Sequence, residues 1–227
     1  MTVRLLGEFE VCLGGDPVPL PTSAQRLVAM LSLRRRSARG MLAGWLWPET
    51  TQSLAMGRLR TTIWRVNRTA PGLVECTTGG IDVAGWAEID VRRLVDDARA
   101  LLLGAAGASG AEDLATCAAE LLPDWDDEWL TEDREWLRQL RLHTLEKRAE
   151  ELTKAGSYGL ALDWALAAVR ADPLRESAHR AVIRVHVAEG NLAEARRAYA
   201  RCSQVLAREL GVRPTRKAVA ALGVTGA

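Results

Sequence analysis

The first third of the chain passes from an alternating apolar and polar pattern to a helical one. Apolar and charged residues alternate over residues 3–11, which predicts one half-buried strand. Residues 14–16, Gly-Gly-Asp, predict a turn, and the proline-interleaved run after them predicts a short returning edge strand. Thr22 and Gln25 have the spacing of a capping box, so a helix is predicted to begin at Thr22.

Two further helices and a hairpin are predicted next. A short helix is predicted over residues 39–47, because Pro48 would end it. The 3.6-residue period over residues 50–68 predicts one long helix. Its predicted apolar seam consists of Ala55, Leu59, Ile63 and Val66. Gly79-Gly80, between two short alternating runs, predicts a tight two-residue hairpin turn, and a helix is predicted over residues 89–103.

Positive charge is concentrated around the long helix. Residues 22–68 hold nine arginines and a single acid, Glu49, whereas the whole chain has a net charge of +1. Such a local excess predicts binding to a polyanion, of which double-stranded DNA is the first candidate. A solvated face on an arginine-rich sequence is the alternative interpretation.

The candidate DNA-binding residues lie in three groups. On the helix they form what we call the basic face, with Arg60 and Trp64 at its edges: Arg58, Arg60, Thr61, Trp64, Arg65 and Arg68. Candidates for phosphate contacts are Thr22, Ser23, Arg26, Arg34, Arg35, Arg36 and Arg39, with Thr77 and Thr78 at the hairpin tip. Arginine reads guanine bidentately, and threonine offers a hydroxyl and a methyl group. Trp64 is predicted either to stack on a sugar or base or to pack against the hairpin or the first helix.

The second half of the sequence predicts helices alone. Residues 104–110 are small and glycine-rich, which predicts a linker between a domain of residues 1–103 and a domain of residues 111–227. Gly156 and Gly190, and likewise Ala161 and Ala195, are 34 residues apart, the tetratricopeptide period. Residues 112–135 hold ten acids and one arginine, which we interpret as an interaction surface or a solvated one.

The remaining composition argues against several other functions. The three histidines have no metal-binding spacing and no phosphate-binding loop is present, so we expect no enzyme activity, no metal and no cofactor. No apolar run is long enough for a membrane span and the first residues do not form a signal peptide, which predicts a cytoplasmic, nucleoid-associated protein. The four scattered cysteines are expected to be reduced core residues. Most of the eight tryptophans, Trp45 and Trp47 included, are predicted to anchor the core.

Together the patterns predict a mainly α protein with a small β component. The order strand, strand, helix, helix, basic helix, hairpin is that of a winged helix-turn-helix, followed here by an all-α, tetratricopeptide-like repeat domain. A DNA-binding regulator is therefore the preferred hypothesis. A helical-repeat scaffold for proteins, whose N-terminal domain no longer binds DNA, is the alternative.

Several stretches of the sequence resemble a known family. VRLLGEFEV at residues 3–11, MLAGWLWPE at 41–49 and GRLRTTIWRVNR at 57–68 are similar to the Streptomyces antibiotic regulatory protein (SARP) family of transcriptional activators. The stretches at residues 121–152, 172–202 and 206–215 resemble the bacterial transcriptional activation domain of that family. The resemblance implies an OmpR-type winged helix that binds direct repeats upstream of a promoter and engages RNA polymerase holoenzyme, with a homodimer as a further expectation. It also implies control of antibiotic biosynthesis genes.

Overall fold

The computed structural model describes residues 1–104 and 114–223. They form two compact units, of which the first combines Met1–Asp96 with Ala119–Leu137. The second consists of the described residues of Asp97–Ala118 and Arg138–Ala227. This packing divides the chain differently from the predicted domains, since residues 119–137 belong to the N-terminal unit. Most of the predicted linker, residues 105–110, lies outside the described residues.

The N-terminal sheet begins with two strands where one was predicted. β1 (Thr2–Arg4) and β2 (Glu10–Leu13) pair antiparallel, with Val3 opposite Val11. The chain reverses between them around Gly7, whose φ of 86° lies in the left-handed region that favours glycine. The prediction of a single strand was wrong because the alternation of apolar and charged residues continues through the reversal. Val3 and Val11 would be buried on one face of a single strand, and they are also buried in the two paired strands. β3 (Asp16–Pro17) and β6 (Glu88–Ile89) complete the sheet, in the order β3-β2-β1-β6.

Three helices and a separate hairpin follow in the predicted order. The helices are α1 (Thr22–Arg34), α2 (Arg39–Leu46) and α3 (Gln52–Thr69), and the hairpin consists of β4 (Val74–Thr77) and β5 (Gly80–Val83). The predicted capping box is absent, because Pro21 occupies the cap position of α1 and Gln25 donates instead to the Leu20 carbonyl at 2.8 Å. The winged helix-turn-helix fold is thus confirmed, and α4 (Asp90–Leu102) follows it.

Residues 119–137, which we call the docked segment, pack on the N-terminal sheet. Leu122 donates a backbone hydrogen bond to the Leu5 carbonyl at 2.9 Å, and Gly7 donates one to the Glu120 carbonyl at 2.7 Å. Leu5 and Leu122 are both fully buried, and the ring of Phe9 lies 5.6 Å from that of Trp125. The docked segment is therefore part of the hydrophobic core of the first unit.

Asp90 joins the end of β1 to the start of α4. Its carboxylate accepts hydrogen bonds from the backbone N–H groups of Leu5, Leu6 and Val91 at 2.6–3.0 Å. Burial raises the pKa of Asp90, and these hydrogen bonds act in the opposite direction. The backbone N–H groups after the short strand β1 would otherwise lack an acceptor, and the Asp90 carboxylate provides one. These hydrogen bonds offset the free-energy cost of burying the carboxylate.

We expect Asp90→Ala to lower the free energy of unfolding by about 2–4 kcal/mol, because it leaves buried N–H groups without an acceptor. Asp90→Asn, which keeps one oxygen acceptor, should lose less. Urea unfolding of both variants followed by circular dichroism measures this. An alanine variant as stable as the native chain would show that the carboxylate is not needed there.

All of the regular secondary structure in the described residues of the second unit is helical. Besides the end of α4, its helices are α5 (Leu114–Ala118), the later part of α6 (Leu130–Lys154), α7 (Tyr158–Ala171), α8 (Glu176–Glu189), α9 (Leu192–Leu210) and α10 (Arg216–Ala221). Helix α7 packs on α8 and α8 packs on α9. Gly156 and Gly190 separate the helices at equivalent places, and the matched Ala161 and Ala195 are fully buried. The mainly α fold with a helical repeat is thereby confirmed.

The described residues bear on three other expectations. None of their helices is both long and apolar enough to cross a membrane. In the same ranges, no three His, Cys, Asp or Glu residues are grouped so that they could hold a metal ion. All four cysteines are free thiols, but only Cys117 and Cys202 are buried, while Cys76 is exposed on the hairpin. Burial raises the pKa of Cys202 to about 11.

Candidate nucleic-acid interface

Helix α3 buries one narrow stripe and leaves the basic face exposed. The stripe comprises Ala55, Leu59, Thr62 and Val66. Thr62, only 3% exposed, takes the central position predicted for Ile63, which is half-buried at the edge of the stripe. All six candidate residues of the helix are exposed: Arg58, Arg60, Thr61, Trp64, Arg65 and Arg68. The helix therefore presents a continuous positive surface to solvent.

The arginines of the basic face have no acidic partners within the described part of the chain. No carboxylate there lies within 4 Å of the guanidinium groups of Arg58, Arg60, Arg65 or Arg68. Other arginines of the same unit are paired, as Arg92 is with Asp82 at 3.0 Å. Unpaired guanidinium groups keep all of their donors available for phosphates or base edges.

Trp64 lies on the basic face and is 57% exposed. The guanidinium of Arg68, one turn further along, lies over its ring at 4.5 Å from the centroid. More than half of the Trp64 side chain is therefore open to solvent, and its described ring contact is with Arg68 of the same helix. The stack holds the Arg68 side chain along the helix through a cation–π contact.

The hairpin turn is shifted by one residue from its predicted position. Thr77 pairs with Gly80 at the end of the ladder, so the two turn residues are Thr78 and Gly79. Gly80 has a φ of 137°, and a Cβ atom there would lie 2.7 Å from the backbone oxygen of Ser37. Glycine is needed at this position because the backbone that connects α1 to α2 passes directly against the hairpin.

The connection between α1 and α2 and the first residue of α2 each place an arginine at the hairpin tip. Ser37 and Ile81 exchange two backbone hydrogen bonds of 3.0 and 2.9 Å. Arg36 lies against the turn, and the guanidinium of Arg39 donates to the Thr77 carbonyl at 3.4 Å. With the exposed Thr77 and Thr78, these arginines form a second basic surface, which we call the wing patch: Arg36, Arg39, Thr77 and Thr78.

Two of the predicted phosphate-binding arginines are engaged inside the unit instead. Arg34 pairs with Asp133 at 3.2 Å, donates to the Trp129 carbonyl at 2.9 Å and lies over the ring of Trp45 at 4.4 Å. Arg26 is paired with Asp127. Both acids come from the docked segment. Each guanidinium is thus already paired with a carboxylate, and a role in phosphate binding stays a prediction.

Two other candidates at the ends of α1 remain open to solvent. Arg35 is exposed, with the Asp96 carboxylate 3.7 Å away. Thr22 is exposed at the start of α1, and Ser23 beside it is half-buried. Their role in phosphate binding stays a prediction.

Sequence reasoning missed two residues that hold the site together. The Asn67 side chain donates to the Val74 carbonyl at 2.8 Å and accepts from the Val74 N–H at 3.0 Å, joining α3 to the hairpin. Arg92 donates to the carbonyls of Leu31 and Ser32 at the end of α1 and pairs with Asp82 of β5. An asparagine inside an otherwise regular helix was the available signal for Asn67, because asparagine is a poor helix former. Arg92 had none.

The fold and its exposed basic helix define a class of protein, the winged helix-turn-helix linked to a helical repeat. The family model described as bacterial transcriptional activator domain matches residues 89–222. The regulatory protein AfsR of Streptomyces coelicolor is 32% identical over 226 residues, which cover 92% of this chain and 22% of that protein. The chain belongs to the bacterial transcriptional activator domain family, and its resemblance to the SARP family is confirmed.

The chain spans about a fifth of the length of AfsR. Among solved structures, Mycobacterium tuberculosis EmbR in complex with a low-affinity phosphopeptide matches with a TM-score of 0.68 at 19% identity. That match covers 98% of this chain and 64% of the EmbR chain. At this identity the likeness shows the fold, which agrees with a mixed N-terminal region followed by a helical repeat.

Proposed function

We propose that the chain is a sequence-specific DNA-binding transcriptional activator. Helix α3 enters the major groove, with Arg58, Thr61, Arg65 and Arg68 toward base edges and Arg60 toward phosphate, and the wing patch lies on the adjacent backbone. The helical repeat contacts RNA polymerase holoenzyme. The sites are direct repeats at promoters of secondary-metabolite genes, on which two copies bind as a homodimer, in the cytoplasm at the nucleoid.

The observation that carries the proposal is the unpaired basic face. An α-helix fits the major groove, where guanidinium groups pair bidentately with guanine. The four arginines of the face project from a rigid helix whose opposite side is buried, so they meet one surface together. Membership of the activator family agrees with DNA as the partner.

The proposal can be tested with the full-length chain and a duplex selected by it from a random pool. Log affinity should fall with log salt, by about 0.9 for each phosphate contact. Arg65→Ala should weaken binding about tenfold or more and relax the preference at one base pair, as expected for a lost base contact.

Arg196→Ala is the matched control, since it removes one exposed positive charge from α9 of the second unit. It should change neither affinity nor preference. No selectable duplex, or binding that is independent of salt, would refute DNA binding and favour the protein scaffold. Equal losses in the two variants would mean that charge alone, and not the helix, determines the affinity.

A further inference from the structure

We propose that Asn67 is the positioning residue for the wing patch, an inference that rests on the proposed DNA binding. Its carboxamide makes two hydrogen bonds, of 2.8 and 3.0 Å, with the backbone of Val74, the first residue of β4. The amide thereby takes the place of a neighbouring strand at this residue. Through it, the angle between the hairpin and the reading helix is fixed by a side chain of the reading helix itself.

The rest of the hairpin is attached elsewhere. At the tip, the backbone bridge between Ser37 and Ile81 joins β5 to the connection between α1 and α2. At the base, Ala84 donates to the Leu73 carbonyl at 2.8 Å. These contacts tie the hairpin to itself and to α1, whereas the hydrogen bonds of Asn67 tie it to α3.

Removing Asn67 should therefore leave the hairpin formed but less well aligned with α3. The consequence would fall on Arg36 and Arg39, because their side chains contact the hairpin tip and would lose this support if the tip moved. Contacts made by the basic face would remain. Sequence preference should thus survive while wing phosphate contacts weaken.

Asparagine is the side chain that this geometry requires. The carboxamide offers a donor and an acceptor at once, matching a backbone C=O and N–H. Aspartate can accept from the Val74 N–H but places a second oxygen against the Val74 carbonyl. Asn67→Asp should accordingly behave like Asn67→Ala in DNA binding.

The test is a double-mutant cycle on the full-length chain with the selected duplex, well below the unfolding temperature of every variant. Asn67→Ala should reduce the affinity for the duplex about fivefold, the factor that corresponds to the net free energy of one hydrogen bond. It should also make the fall of log affinity with log salt less steep. In a chain that already carries Arg36→Ala and Arg39→Ala, the same substitution should reduce affinity less than twofold. Thr69→Ala, which removes only a bond from Thr69 to the Arg65 carbonyl within α3, is the control and should have no effect.

The outcomes separate the two proposals. Equal losses from Asn67→Ala in both backgrounds would overturn the positioning role, since the effect would then not pass through the wing patch. No loss from Arg36→Ala with Arg39→Ala would overturn it as well, because the wing would not contact DNA. Failure of the unmodified chain to bind any duplex would refute the proposed function itself.

Discussion

Arg34→Ala is expected to lower the free energy of unfolding by about 2–4 kcal/mol. The substitution leaves the carboxylate of Asp133 without its partner and the Trp129 carbonyl without a donor. Burial already raises the pKa of Asp133, and Arg34 is the group that opposes this rise. The substitution Arg34→Ala also exposes one face of the ring of Trp45, which lies in α2, the helix that packs on α3.

Arg35→Ala is the matched control. Its side chain is 59% exposed and its pairing with Asp96 is long, so the loss should stay below about 0.5 kcal/mol. Urea unfolding followed by tryptophan fluorescence measures both variants, and DNA binding is measured below the transition. If Arg34→Ala is fully stable but binds DNA weakly, the sequence-based assignment of Arg34 to phosphate binding is correct after all.

The long basic helix and the hairpin could be predicted because their signals are local. The 3.6-residue period of apolar residues predicted which side of α3 is exposed, and the order of the strands and helices predicted the winged helix-turn-helix fold. The error within α3 concerned a single position. At 100° per residue Thr62 lies at the centre of the buried stripe and Ile63 at its edge, so angular position determined burial and hydrophobicity did not.

The surroundings of Arg34 could not be predicted because its partner lies far away in the sequence. Asp133 is 99 residues distant, and nothing near Arg34 distinguishes it from Arg35. The tryptophans were misjudged for a related reason. Of the eight, all of which are described, only Trp164 is buried, and Trp45, Trp64 and Trp129 have guanidinium groups over their rings. Composition cannot distinguish a core anchor from a platform for arginine.

The last prediction compares two truncations. A fragment that ends after Leu103 should fail to fold stably, whereas one that ends after Leu137 should remain folded. The shorter fragment lacks the docked segment, and with it Leu122 of the core and the partners of Arg26 and Arg34. These losses together approach the whole stability of a small domain, about 5 kcal/mol or more. Thermal unfolding of both fragments measures the difference, and equal stability would show that the docked segment adds nothing.

The fragment that ends after Leu137 then separates DNA binding from activation. It retains the basic face and the wing patch, so it should bind the selected duplex, more weakly if the repeat also joins two copies. It lacks helices α7 to α10, and helical repeats present surfaces suited to protein partners. In transcription in vitro at saturating occupancy of the promoter, the full chain should increase transcript and the fragment should not. Equal activation by the fragment would place the polymerase contact in the first unit.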